Sequence, residues 1–164
     1  MTVSYTVDQI REALKTVKDP EIPVLSLVDL GVITTIELPA EDHVRVEMTP
    51  TFSGCPAMDV MRADTEARLR DMGFTTFEVE VNFKKSWNSN QVTHEGRRKL
   101  REFGLSPAKP YAGEVDLEEA LEHAECPFCG STQTTMHTPF GPTLCRSIHY
   151  CNHCLQSFEQ FKPL

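Results

Sequence analysis

Apolar residues along this chain recur with two different periods, and the changes of period mark its elements. Ile10, Ala13, Leu14 and Val17 recur at helical spacing. Thr6-Val7-Asp8-Gln9 has capping-box spacing, with Thr6 as N-cap, and Tyr5 and Ile10 occupy the two staple positions. Asp19-Pro20 ends this helix, because a residue before proline is pushed out of the helical region. The β-branched run Leu27 to Leu38, broken near Gly31, predicts a strand. His43 to Met48 predicts a second, with Val44, Val46 and Met48 on one side. Pro39-Ala40-Glu41-Asp42 between them reads as a hairpin turn. A second helix is expected to open at Pro56. Met58, Met61, Thr65, Leu69 and Met72 would be buried on it, with Arg62, Glu66 and Arg70 outside and Gly73 as cap. Val79, Val81 and Phe83 alternate as a third strand, and a helix from about Thr93 to Phe103 stops at Gly104.

The order αββαβα is that of a small α/β layer with helices on a sheet. Ser106 to Gly113, with two prolines and a glycine, reads as a linker, and Glu114 to Glu125 as an acidic connector. The expected division is a first domain over residues 1–112 and a second module over residues 113–164.

Composition changes this picture mainly through charge and cysteine. The formal net charge is −8, and residues 124–164 balance Glu125 and Glu159 against Arg146 and Lys162, so the acidic excess lies in the first part. An acidic surface repels phosphate backbones, so protein partners are expected rather than nucleic acid. No apolar run reaches the ~20 residues that span a bilayer, and the amphipathic start MTVSYTVDQIREALK does not read as a secretory signal. The expectation is a cytoplasmic protein with no membrane partner.

Six cysteines in a reducing compartment point to metal or thiolate chemistry, not disulfides. Cys126-Pro127-Phe128-Cys129 and Cys151-Asn152-His153-Cys154 are two Cys-x-x-Cys knuckles with 21 residues between them. Two such pairs complete a tetrahedral S₄ site, and the interval fits the hairpin of a zinc ribbon. A closed S₄ site has no position for substrate and reads as structural zinc, although iron also accepts four sulfurs. Cys145 is left over, either as a buried small hydrophobe or as a spare thiolate. His137, His149 and His153 are expected in loops and on the surface. Cys55 stands before Pro56, where a helix N-terminus would favour a thiolate. A buried structural cysteine, a nucleophile and a metal ligand all remain open for it. Asp19 and Glu21 lie in Asp19-Pro20-Glu21-Ile22-Pro23, which reads as a rigid acidic turn that stops the helix or faces a ligand.

These segments together resemble a known family. DPEIPVLSLVDLGVI, the strand ending in MTPTFSGCP and the helix after it are similar to the iron–sulfur assembly domain of SufT and the MIP-type targeting proteins. That likeness extends through Trp87 and Glu95 to Leu100, over roughly residues 5–110. The ribbon, with FGPTLCRS between the knuckles and SFEQFK after them, resembles the PaaD type. The resemblance implies a maturation factor, not an enzyme, serving the iron–sulfur reductase of the phenylacetyl-CoA epoxidase. By position it makes Cys55 the reactive or cluster-transferring cysteine and Asp19 and Glu21 its supporting acidic turn. It makes Cys126, Cys129, Cys151 and Cys154 the ribbon ligands, and Cys145 a further thiolate of the tail. A transient Fe–S cluster would be the cargo, and the resemblance leaves a homodimer open. After Trp87 the pattern calls for an aspartate where this chain has Asn90-Gln91. The alternatives are a thiol enzyme, or an integral epoxidase subunit, using Cys55, and a nucleic-acid-binding ribbon.

Overall fold

The computed structural model describes residues 4–164. The first three residues of the expected first domain lie outside the described residues. The chain forms two compact units, Met1–Trp87 and Asn88–Leu164.

In the first unit, helix α1 (Val7–Leu14) begins with the expected reciprocal capping box between Thr6 and Gln9. Strands β1 (Ile33–Ala40), β2 (His43–Met48) and β3 (Thr76–Val81) form a sheet in the order β1-β2-β3, and helix α2 (Met58–Asp71) lies between β2 and β3 in the chain. β2 is central, antiparallel to β1 and parallel to β3. Its inward residues Val44, Val46 and Met48 are fully buried, as are Ile10, Leu14 and Leu69 of the helices. Thr65 shares the buried face of α2 without leaving an orphan hydroxyl, because it donates to the Met61 carbonyl at 2.8 Å.

Three local readings of the sequence change here. The apolar run from Leu27 does not open a strand. Ser26 and Asp29 cap each other's backbone N–H groups, at 2.9 and 3.2 Å, and hold a buried turn, so β1 begins only at Ile33. Pro39 belongs to β1 and lies in a register irregularity between Glu37 and Ala40, which leaves Glu41-Asp42 as the turn. β3 stops at Val81, because the Asn82 side chain accepts from the N–H groups of Lys84 and Lys85 and turns the chain. Phe83 is therefore exposed rather than inward.

In the second unit, a 3₁₀ turn (Ser89–Gln91) precedes helix α3 (His94–Phe103), strand β4 (Leu105–Ser106) and helix α4 (Leu117–Glu122). Strands β5 (Thr134–Thr138), β6 (Arg146–Cys151) and β7 (Ser157–Phe161) complete a sheet in the order β4-β7-β6-β5. β4 joins it in parallel with β7. The αββαβα order is thus present, and its last helix packs with the ribbon's own unit, whereas the division expected from sequence lay near residue 112. The segment read as a linker is fastened in place. Arg97 donates to the carbonyls of Ala108 and Ser89, and the Tyr111 hydroxyl donates to the Leu164 carbonyl at 2.7 Å. Asn90 pairs with Tyr111 through both ends of its amide, donating at 2.7 Å and accepting at 3.1 Å. An aspartate there could only accept, which gives the departure at Asn90 a structural use.

Candidate metal centre and reactive thiol

The two knuckles are built alike. In the first, Gly130 N–H donates to the Cys126 carbonyl at 2.9 Å and Gly130 adopts φ +73°. In the second, Leu155 N–H donates to the Cys151 carbonyl at 2.9 Å with Leu155 at φ +61°. Each turn needs a left-handed residue just after its second cysteine. Glycine supplies it without strain, and leucine does so at a cost. The turns are held together by Asn152, whose N–H donates to the Gln133 carbonyl at 2.8 Å and whose side chain donates to the Thr135 hydroxyl at 3.0 Å.

This framework brings the sulfurs of Cys126, Cys129, Cys151 and Cys154 within 4.8 Å of one another. Cys126 and Cys154 are 3.7 Å apart, and Cys129 and Cys151 3.6 Å. A tetrahedron with metal–sulfur bonds of about 2.3 Å has sulfur–sulfur edges of about 3.8 Å, which these two edges match, so the four sulfurs are placed to take one metal ion. The Cys154 N–H points at the Cys151 sulfur from 3.5 Å and holds the Cys151 thiol below its ordinary range. Burial pushes the thiols of Cys126 and Cys154 up. The Cys151 thiolate forms readily, while Cys126 and Cys154 need a cation to offset their charge, which is the chemistry of a metal-binding cage.

His149 differs from the sequence reading. It is fully buried on β6, stacks on Phe158 at 5.4 Å and meets the Ser147 hydroxyl at 2.8 Å. Burial, and after it the charge of His137, push its pKa down to about 4. His137 and His153 are exposed, as expected.

Cys55 lies half-buried in the first unit, in the loop between β2 and α2. The helix starts later than expected: Ala57 is the N-cap, with no side-chain cap, and Met58 the first helical residue. Cys55 therefore stands in a turn ahead of the helix, its N–H donating to the Phe52 carbonyl and its own carbonyl accepting from Met58. A polar cluster that sequence reading missed surrounds Glu47, near the end of β2. It accepts from Lys85, from Asn82 at 3.1 Å and from Thr34 at 3.2 Å, with Lys85 first among the causes that lower its pKa.

Asp19 is buried, and one carboxylate oxygen accepts from the N–H groups of Glu21 and Ile22 at 2.8 and 2.7 Å. That bond set shapes the turn, while Glu21 points to solvent. Asp19 lines a shallow groove with Asp64, Arg68 and Asp71, the C-terminal half of α2, away from the end where Cys55 sits. Cys145 is buried beside the Thr143 hydroxyl, 3.1 Å from its sulfur, and is not among the four cysteines that converge.

Residues 7–83 match the family described as "Iron-sulfur cluster assembly protein", and residues 111–162 the "PaaD zinc beta ribbon domain". An Escherichia coli (strain K12) protein, provisionally named as one of the subunits of the 1,2-phenylacetyl-CoA epoxidase, is 33% identical over 156 residues, covering 95% of this chain and 92% of its own. The "Fe-S protein maturation auxiliary factor" of Porphyromonas gingivalis is 33% identical over 96 residues, 58% of this chain and 90% of its own. Among solved structures, a conserved hypothetical protein of Thermotoga maritima superposes with a TM-score of 0.52 at 31% identity, covering 61% of this chain and 98% of its own. A DUF59 domain from Bacillus anthracis, at 22% identity and a TM-score of 0.53, covers 57% of this chain and 89% of its own and shares the fold. Among the described residues no helix is long and apolar enough to cross a membrane.

Proposed function

Because the chain belongs to the PaaD family, in which an iron–sulfur assembly domain carries a ribbon, we propose that it is a non-catalytic maturation factor for the phenylacetyl-CoA epoxidase system. Its client is the iron–sulfur reductase of that system, met in the cytoplasm, and the cluster is cargo rather than a resident cofactor. The observation that carries this reading is the contrast between the chain's thiols. Four close on one metal site, whereas Cys55 sits half-buried in a loop of the assembly domain. A loop cysteine can meet and release a cluster without dismantling a strand.

The ribbon metal is zinc, held by Cys126, Cys129, Cys151 and Cys154. Zinc there supplies a redox-inert centre that fixes the two knuckles, and with four sulfur ligands no coordination position is open to substrate. Asp19 keeps the turn before Glu21 in shape. Cys55 is the residue that passes the cluster on.

The test is Cys55→Ser. Serine preserves size, and the turn's backbone hydrogen bonds are untouched, so stability should change by less than about 0.5 kcal/mol. Cells carrying the variant should accumulate reductase lacking iron and sulfide and grow poorly on phenylacetate, while the purified variant keeps its full zinc. Reductase loaded to the wild-type level in those cells would remove Cys55 from the mechanism.

A further inference from the structure

Gln160 of β7 is 3% exposed, and its Oε1 is buried with no hydrogen-bond partner among the described residues. Its register neighbours are Ser106 of β4 and Ser147 of β6. Neither serves it: the Ser147 hydroxyl is engaged with His149 at 2.8 Å, and the Ser106 hydroxyl is itself buried and unpartnered. A buried amide oxygen without a donor is costly to hold. The Gln160 side chain lines a cavity of about 290 Å³ in the second unit. A half-turn of the terminal amide, a soft two-fold torsion, presents the oxygen to a donor that enters there. The cavity is apolar along its walls and acidic at its mouth. Pro110, Val115 and Pro163 supply walls, while exposed Glu114, Asp116 and Glu119 surround the opening. Asp116 spends one oxygen on the N–H groups of Glu118 and Glu119, at 3.0 and 3.3 Å. Glu114 and Glu119 make no ion pair among the described residues. Lys109 and His123 also line the cavity, and the three carboxylates outweigh them at neutral pH. Tyr111, on the same wall, is fastened to Asn90 and to the Leu164 carbonyl, so this side is in place before a ligand arrives.

We propose that this cavity receives an arginine side chain of a partner protein, its guanidinium held between Gln160 and Glu119 and its stem laid along the prolines. The orphaned acceptor calls for a donor, the mouth for a positive charge and the walls for an apolar stem. A guanidinium meets the first two at once: it is planar, carries five N–H donors and is more weakly hydrated than an ammonium, so it enters a partly closed site at lower cost. A cavity of about 290 Å³ lies just below the roughly 300–1,000 Å³ of sites that enclose whole small ligands. It suits one long side chain whose backbone stays outside. Leu117, adjoining Asp116 at the mouth, is an exposed apolar side chain that a partner's surface would cover and a free ion would leave in water. The acidic mouth also draws a basic partner toward the right orientation. The site uses neither the four ribbon cysteines nor Cys55, so it stands apart from the cluster-transfer reading.

The experiment titrates the full, zinc-loaded, nitrogen-15-labelled chain with a blocked alanine–arginine–alanine peptide and follows the amide spectrum. Saturable shifts are expected at the Gln160 side-chain amide and at Val115 and Glu119, with a Kd on the order of 1 mM at low salt. The alanine–lysine–alanine counterpart should bind at least about fivefold more weakly. Glu119→Gln, at an exposed position of α4, should weaken binding about tenfold by removing a charge-assisted bond. Gln160→Met removes an oxygen that has no partner in the free chain, so it should melt no lower than wild type, yet lose the saturable shifts. No saturable response at Gln160 up to about 20 mM peptide overturns the proposal. So does equal affinity for the lysine peptide, or a Glu119→Gln or Gln160→Met chain that binds as wild type does. Agmatine binding about tenfold more tightly than the peptide would assign the cavity to a free guanidine and overturn the partner's side chain as its occupant.

Discussion

The ribbon cysteines and Cys55 share a residue type and little else. Cys126, Cys129, Cys151 and Cys154 sit in two turns that repeat the same backbone bond, each fixed by a neighbouring strand, and their sulfurs meet at metal-bonding distances. Cys55 sits in a loop ahead of a helix whose N-cap, Ala57, has no side-chain cap bond. A site held by short-range turns is rigid, and a metal bound there would add to its stability. A site on a loop contributes little to stability and is able to move. The same contrast separates the units: the first has a buried apolar core of its own, while the second brings Cys126 and Cys151 into its core beside Ala124 and Phe158.

The largest effect that would break this comparison comes from removing the metal. Structural zinc contributes on the order of 10 kcal/mol to small ribbons. Chelation, or Cys129→Ser, should abolish the second unit's hydrogen-exchange protection and leave that of β2 and α2 in place. Equal loss in both units would show that they fold as one.

Truncation sharpens the boundary. A chain ending at Ala112 keeps α3 but loses β7, the strand on which β4 pairs. It should melt within about 2 °C of a chain ending at Trp87, because residues 88–112 then add no stability. A distinctly higher melting temperature for the longer chain would place the division near residue 112.

A smaller effect compares the knuckles with each other. Leu155 at φ +61° occupies the position that Gly130 fills in the first turn. Leu155→Gly should stabilise the zinc-loaded ribbon by about 0.5–1 kcal/mol, and Gly130→Leu should cost about 1 kcal/mol or more. Denaturant melts of the two variants read both values, and changes of the same sign would mean that the turns are not equivalent.

The smallest effect belongs to the first unit's polar cluster. The native pKa of Glu47 is lowered, by Lys85 foremost. Its stabilisation is therefore complete above the unfolded value of about 4.3 and is lost as pH falls through the native value. Glu47→Gln should cost less than about 1 kcal/mol at neutral pH, since Lys85 is largely exposed, and nothing once the carboxylate is protonated. A difference that persists unchanged into acid would rule out the ion pair as its cause.

Features with short-range causes were legible from the chain alone. The Thr6–Gln9 capping box, the buried stripe of α2 and the paired knuckles each depend on residues three or four positions apart, and each appears as expected. The run after Leu27 was misread because apolar content does not distinguish a buried turn from a strand, and the Ser26–Asp29 caps decide it. Composition likewise suggested a linker at Ser106 to Gly113, where long-range bonds from Asn90, Arg97 and Leu164 fasten the chain.

What only the tertiary structure decided is which groups share a surface. Ser147, His149 and Cys151 alternate along β6 and are all buried, as are Phe158 and Gln160 along β7, and Cys145 and Lys162, one residue beyond the strand ends, continue the two rows. The period of two was readable, but the register of β6 on β7 was not, and a slip of one residue would turn these side chains to the other face. The chain alone pointed to four thiols that converge, and their sulfurs do lie within 4.8 Å of one another. That Cys145 would lie opposite Lys162 in register and that His149 would enter the core were settled by contacts between residues distant in sequence or by burial. Neither is specified by local spacing.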